Sequence, residues 1–310
     1  MNITSLNASS YNFTSIQDFR RQDQDRMTIV AAVFLIFSGI GLMGNLTVFW
    51  FLCFKIQRNK YTVYFMNLSA ADALLETVAV MTLILNIVGY QSPKLQFNGV
   101  ASFNLSLTIL YYAMIYIGMY LLTSISTERC TSVLFPIWNT VHRPKNLSTI
   151  MCCFAWALGS LESLLDNFVC GPSLWQITAN CFPIGVMNFV LAVGICLPLM
   201  IISSLFLLIK IGKTFRQRYP PKLYIIIIVA AIMFTLSVLP LNTIRFLLLC
   251  KLIPSNLLPI STVAPCEFWM IVNSALNPII YVLIGRRWDQ GSCFSIRDNL
   301  HRAFSLDNAE

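Results

Sequence analysis

Asp72, Glu128, Arg129, Glu162, Asp166, Arg245 and Glu267 all lie in stretches of sequence that are otherwise apolar. A charged side chain at the centre of a membrane helix costs roughly 2.5 to 3.5 kcal/mol on insertion scales. Each therefore calls for a partner or a function. Glu162 and Asp166, four residues apart, fall on one helical face and would present paired carboxylates to a cation. Glu128 and Arg129 are adjacent, and the expectation is that they pair with each other. Asp72, with Asn45, Asn273 and Asn277, can form a buried polar cluster, either around a sodium ion or water or as a purely structural hydrogen-bond network. Hydrolytic chemistry is not indicated: the histidines, His142 and His301, lie outside the apolar runs, and no Cys/His pairing is apparent. The chain is not expected to be an enzyme, and no cofactor or metal is implied.

The elements that must hold these groups follow from composition. In a chain of 310 residues, 57% hydrophobic and 11% charged, there is too little charge to cover a water-soluble surface. Crossing about 30 Å of hydrocarbon takes about 20 helical residues, and apolar runs long enough occur near 28 to 54, 61 to 88, 101 to 132, 149 to 170, 183 to 209, 223 to 249 and 262 to 284. The expected fold is an all-α membrane protein, a seven-transmembrane helix bundle over 28–284. A tail precedes it at 1–27, and a segment at 285–310 carries a short amphipathic helix.

Orientation follows from Lys and Arg, which are in excess on cytoplasmic loops. Lys55, Arg58, Lys60, Arg129, Arg143, Lys145, Lys210, Lys213, Arg216, Arg218, Lys222, Arg286, Arg287, Arg297 and Arg302 make 15 of the 21 basic residues, and all lie on one side of the seven-span arrangement. The N-terminus is thus expected outside and the C-terminus in the cytoplasm. Acceptor triplets at Asn2, Asn7 and Asn12 mark the tail as glycosylated, whereas the triplet's recurrences at Asn45, Asn67, Asn104 and Asn146 are read as coincidental, the first two lying in spans and the last in a cytoplasmic loop. Residues 1–27 lack an apolar core, so the first span is expected to direct insertion. Beyond Trp288, the residues Phe294, Ile296, Leu300, Ala303 and Phe304 interleave with Arg297, His301 and Arg302, as in a helix lying on membrane lipid. Cys293 beside them is either a palmitoylation site or a plain thiol. The net charge of +8 is an orientation signal and does not point to nucleic acid.

Certain residues fall in order, one set per span: Gly44-Asn45, Leu68-Ser69-Ala70-Ala71-Asp72, Glu128-Arg129-Cys130, Trp156, Pro198, Pro240 and Asn277-Pro278-Ile279-Ile280-Tyr281. In this the chain resembles rhodopsin-like G-protein-coupled receptors. Within that class, Ser126-Thr127-Glu128-Arg129-Cys130, Ser132 to Trp138 and His142-Arg143-Pro144 are similar to the Mas-related receptors. Two departures from the wider class agree. Ala101 to Leu110 holds no cysteine, and the resemblance implies a bridge from Cys170 to Cys181, joining the fourth and fifth helices. Val238 stands two residues before Pro240, where many of the class carry tryptophan.

The resemblance implies a receptor that activates heterotrimeric G proteins by outward movement of the sixth helix. Glu128, Arg129, Pro240, Asn277, Pro278 and Tyr281 are its switch, and Pro198, Pro240 and Pro278 are points where a missing backbone hydrogen bond allows a pivot or a static kink. Asp166 matches a family position that receives cationic ligands, while the second acid of that pattern is absent, since Cys181 is followed by Phe182-Pro183-Ile184-Gly185. The candidate ligand residues are Asp166, Glu162, Tyr111, Tyr112, Arg245 and Glu267, and the expected ligand is a cationic peptide or amine. A competing expectation has Arg245 and Glu267 neutralising each other, leaving Glu162 and Asp166 as the net charge.

Tyr111, Tyr112 and Tyr116 on the third helix argue against an aminergic site, and no lysine between Ser261 and Gly285 allows a retinal Schiff base. An orphan or constitutively active receptor of the same fold is an alternative. A small-ion or proton transporter is another, but the unequal spans and lack of an internal repeat disfavour it. Protease protection of epitopes placed at both ends tests the orientation. Only the C-terminal epitope should survive digestion of intact cells.

Overall fold

The structure, a computed structural model, describes residues 3–91, 98–170, 181–214, 222–253, 260–285 and 299–300. Among the described residues the elements are helical throughout. They are α1 (Ile3–Phe54), α2 (Thr62–Gln91), α3 (Asn98–Leu134), the short α4 (Pro136–Val141), α5 (Leu147–Leu165), α6 (Cys181–Phe189), α7 (Leu197–Thr214), α8 (Lys222–Leu249) and α9 (Ile260–Gly285). A π-helical turn, Asp166–Cys170, continues α5, and another, Val190–Cys196, joins α6 to α7 into one rod. Seven stretches are long and apolar enough to cross a membrane: Ile29–Phe54, Thr62–Leu85, Ala101–Leu134, Leu147–Cys170, Cys181–Ile209, Ile225–Leu249 and Cys266–Ile284. They match the expected seven in order. Asn2, Cys293, the loops at 171–180 and 215–221 and nearly all of the expected amphipathic tail helix lie outside the described residues, as do the side chains of Asn7 and Asn12.

Helix is the conformation that satisfies every backbone group within one segment, which hydrocarbon demands. Several hydroxyls follow the same rule. Thr47, Thr77 and Thr123 each donate to the carbonyl four residues back, at 2.7, 2.8 and 2.8 Å, so none is left bare toward lipid or core. Asn59 starts α2: its Oδ1 accepts the backbone N–H groups of Tyr61 and Thr62, both at 2.9 Å, the bonds an N-terminal cap makes. Pro136 opens α4, where its missing N–H has no helical partner to lose.

The bundle is organised around the third span. Ile117, Leu121 and Ile125, one turn apart, are fully buried. Large apolar side chains such as Ile36, Met43, Trp50 and Phe54 face outward, while Asp72, Glu128, Arg129, Glu162 and Asp166 are turned inward. This inverts the arrangement of a soluble protein and is what a lipid solvent requires.

Where α3 and α5 cross, Gly159 lets the backbones touch. A Cβ there would stand 2.7 Å from the backbone nitrogen of Ile117, and small residues at such crossings let membrane helices pack closely. Gly39 has open space around its missing Cβ. Gly159→Ala should therefore destabilise the bundle by about 1 to 3 kcal/mol, whereas Gly39→Ala should be neutral or mildly stabilising through helix propensity. Thermal midpoints of the two purified variants check this.

Candidate functional site

Three polar clusters lie along the bundle. The outermost is built where α5 gives way to its π-helical turn, a distortion often found at functional sites. The turn begins at Asp166, whose backbone N–H still reaches the carbonyls of Glu162 and Ser163, and Asn167 donates to the Ser163 carbonyl at 2.9 Å. Ser163 ties this stretch to α3 through the Ile109 carbonyl, 2.6 Å away. So held, Asp166 is 3% exposed and points toward α8. Arg245 meets it with one terminal nitrogen bridging both carboxylate oxygens, at 2.8 and 2.7 Å.

Tyr116 completes the cluster. Its hydroxyl donates to Asp166 at 3.2 Å and accepts from the other guanidinium nitrogen of Arg245 at 3.3 Å; the Asn188 amide lies 3.5 Å from it. The ring of Tyr112 lies 5.7 Å from the guanidinium carbon. One turn deeper, Glu162 accepts a 2.6 Å hydrogen bond from Tyr120, and its other oxygen is buried without a hydrogen bond. The expected Arg245–Glu267 pair is thus corrected: Arg245 spends its charge on Asp166, and Glu267, half-buried, sits within electrostatic reach of Tyr111 and Tyr112. Those two rings meet edge to face at 5.5 Å.

Above this cluster the Cys170–Cys181 disulfide, with Cα atoms 4.6 Å apart, closes the fourth span onto the fifth, as the resemblance implied. Leu249 and Ile184 pack on it. Phe189 and Phe246 stack at 4.0 Å. The outer half of α8, beyond Pro240, is therefore fixed to the fourth and fifth spans by a bridge-backed apolar contact, an aromatic stack and an ion pair.

The middle cluster holds Asp72, 7% exposed, which accepts a hydrogen bond from Asn277 at 2.8 Å. Asn45 does not reach Asp72; its amide donates to the carbonyls of Gly41 and Ser274, at 3.0 and 3.2 Å. A cavity of about 20 Å³ runs beside Asp72, Asn273, Ser274 and Asn277. It is large enough for one water molecule. Pro278 follows Asn277, and Tyr281, one turn on, is fully buried and edge-on to Phe65 at 5.4 Å.

At the inner end, Glu128 and Arg129 part company. One oxygen of Glu128 accepts from Tyr64 at 2.7 Å and the other from Arg143 at 2.5 Å; Arg143 also donates to Ser148 at 2.6 Å. The guanidinium of Arg129 lies over the ring of Tyr61, 3.1 Å from its centroid. The expectation that Glu128 pairs with its neighbour is replaced by a bond to the loop that carries α4. Consecutive helical residues point about 100° apart, so Glu128 and Arg129 leave the helix toward different partners.

The partners of several of these groups were not legible from sequence. Tyr64, Arg143, Tyr116, Tyr120 and Asn188 carry no spacing signal, because each has a partner at least 15 residues away along the chain. Glu76 did carry one: it lies four residues after Asp72, the same spacing as Glu162 and Asp166.

Similarity to known proteins covers the whole arrangement. Residues 44–281 match the model of the rhodopsin family of 7 transmembrane receptors. The chain is 32% identical to human Mas-related G-protein coupled receptor member D, over 80% of its own length and 75% of the relative's. It is 31% identical to the human proto-oncogene Mas, over 96% and 89% respectively, and 32% identical to rat Mas-related G-protein coupled receptor member A, over 83% and 84%.

Removing Arg143 strands a buried carboxylate. Arg143→Ala should cost about 3 kcal/mol of stability, and adding Glu128→Gln should recover most of it, because a neutral amide needs no counter-ion. Thermal midpoints of the single and double variants give the coupling.

Proposed function

The chain belongs to the Mas-related G-protein-coupled receptors of the rhodopsin class, and we propose that it answers a cationic peptide or amine which competes with Arg245 for Asp166. Membership makes it a multi-pass protein of the plasma membrane whose partners are an extracellular ligand and heterotrimeric G proteins. The glycosylated N-terminal tail, 1–27, faces outside, and the tail from 285 faces the cytoplasm.

The observation that carries the ligand reading is the two-oxygen contact between Asp166 and Arg245. A buried carboxylate needs a cation, but the identity of the cation is free. A ligand amine or guanidinium takes Arg245's place on Asp166, and Arg245 turns one helical turn inward to the unbonded oxygen of Glu162. In the end state two cations, the ligand and Arg245, face two carboxylates, Asp166 and Glu162, so neither cation is stranded in the low-dielectric interior. Tyr111, Tyr112 and Glu267 line the approach.

Release of Arg245 loosens the outer half of α8 and lets α8 turn about Pro240. Its cytoplasmic half swings outward, Arg129 leaves the ring of Tyr61 to meet the G protein, and Tyr281 moves toward the core as α9 adjusts at Asn277 and Pro278. Asp72 and the cavity beside it form a water-lubricated hydrogen-bond core between α2 and α9. Pro198 sits at the foot of the π-helical turn in the fifth span and gives that helix its own pivot.

A second reading is favoured by the same contact. Arg245 already occupies the cation position and so serves as an internal ligand of a constitutively signalling receptor. Cells expressing the wild type, Asp166→Ala, Glu162→Ala or Arg245→Ala, challenged with basic peptides and polyamines and read for calcium and cAMP, separate the two. Under the first, Asp166→Ala weakens the response at least about tenfold, the equivalent of 1.4 kcal/mol, and Arg245→Ala strengthens it. Equal responses from wild type and both acid variants would remove the cationic-ligand reading. A high ligand-independent signal that Arg245→Ala abolishes establishes the second.

A further inference from the structure

Glu76 takes no part in the scheme above, yet it is fully buried, and neither of its carboxyl oxygens has a hydrogen-bond partner. It lies one turn outward of Asp72 on α2, in the seam where α1, α2 and α9 meet. The fit is close. A Cβ on Gly41 would stand 2.6 Å from Glu76 Oε1 and 2.9 Å from the Cβ of Ala275, so the carboxyl rests directly on the backbone of α1 beside α9. Three residues further along α1, a Cβ on Gly44 would stand 3.0 Å from the ring of Pro278. The seam that encloses Glu76 is therefore the one against which the seventh helix bends.

The groups facing Glu76 are neutral or acidic. From α1 comes the buried Ser38, with Gly41; from α9 come Ser274, whose hydroxyl is also unbonded, and Ala275. Its own helix contributes Asp72, and α3 contributes the phenol of Tyr111, which Glu267 reaches from the outer end of α9. Among the described residues no cationic side chain is paired with it: Arg245 is held by Asp166 and Arg143 by Glu128. With hydroxyls as its only neighbouring donors and no cation paired with it, an ionised carboxylate is costly to hold in so close a seam. A protonated one is not, and its O–H has the Ser38 and Ser274 hydroxyls within the seam to turn toward.

We propose that Glu76 is a hydrogen-ion binding site of the resting receptor, and that its bound proton keeps the seam between the first, second and seventh spans shut against the bend at Pro278. Loss of the proton places a bare charge in the seam and drives the three helices apart, admitting water. The proposal is independent of the ligand's chemistry, since it involves none of the outer residues.

The test uses the full chain in lipid nanodiscs, as wild type, Glu76→Gln and Asp72→Asn, followed between roughly pH 6 and pH 9 by infrared spectroscopy and by thermal midpoint. At neutral pH the wild type should show the C=O stretch of a protonated carboxyl that Glu76→Gln lacks and Asp72→Asn keeps. Glutamine copies the neutral acid but has no proton to lose, so the wild-type midpoint should fall relative to that of Glu76→Gln as pH rises. The proposal is overturned if Glu76→Gln leaves the neutral-pH carbonyl band unchanged, or if the two midpoints run parallel across the range. It is also overturned if sodium chloride at fixed pH raises the wild-type midpoint and Glu76→Gln abolishes that rise, because the site would then belong to a metal cation. Should Glu76→Gln not fold, Gly41→Ala serves: its methyl group must displace the carboxyl, so the band should shift, and an unmoved band contradicts the assignment.

Discussion

A charged or polar group buried in a hydrocarbon solvent must find its counter-charge or hydrogen-bond partner inside the protein, and this constraint organises the whole bundle. Apolar side chains give little preference for helix over lipid, because lipid tails are as apolar as leucine. Polar contacts between helices therefore supply much of the information about which helix sits where. Asp166 with Arg245 joins the fourth span to the sixth, Asp72 with Asn277 joins the second to the seventh, and Glu128 joins the third to the second through Tyr64 and to the loop after it through Arg143. Each tie crosses between helices far apart in sequence, and together they draw the helices around the third span.

Under the proposed function, the same ties are what make the bundle a switch. Breaking a buried pair outright costs several kcal/mol, whereas exchanging one partner for another of like charge costs far less. The outer cluster has the parts for such an exchange: Asp166 and Glu162 one turn apart, a single Arg245, and tyrosine hydroxyls that can either donate or accept. The inner cluster has its own parts, with Glu128 tied to Arg143 and Arg129 lying on the ring of Tyr61. Between the two, α8 is fixed above Pro240 by the Phe189–Phe246 stack and the packing of Leu249 on the disulfide. In the proposed scheme, motion on the cytoplasmic side depends on what happens at the outer pair.

The existence, order and approximate limits of the seven spans were legible in the sequence, because length and apolarity alone define a helix that crosses a membrane. Inward placement of Asp72, Glu162 and Asp166 followed from cost alone. The choice of partner was not legible. Arg245 passes over Glu267, only 22 positions away, and takes Asp166, 79 positions away, because the π-helical turn after Leu165 aims that carboxylate at α8, and local sequence does not announce such turns. Glu128 turns from its neighbour to Arg143 because the chain folds back through α4, a six-residue helix marked only by Pro136. The disulfide came from family resemblance, since spacing alone does not choose among the chain's ten cysteines. Glu76 was within reach of the spacing rule that found Glu162 and Asp166.

The central claim is that this is a two-state bundle whose sixth helix moves against the third. Spin labels at Leu134, exposed at the inner end of α3, and Ile225, at the inner end of α8, measured by double electron–electron resonance in nanodiscs, report that motion directly. The account predicts one short-distance population for the receptor alone and a second, longer one when nucleotide-free G protein is added. A single distance distribution, the same with and without G protein, would contradict it.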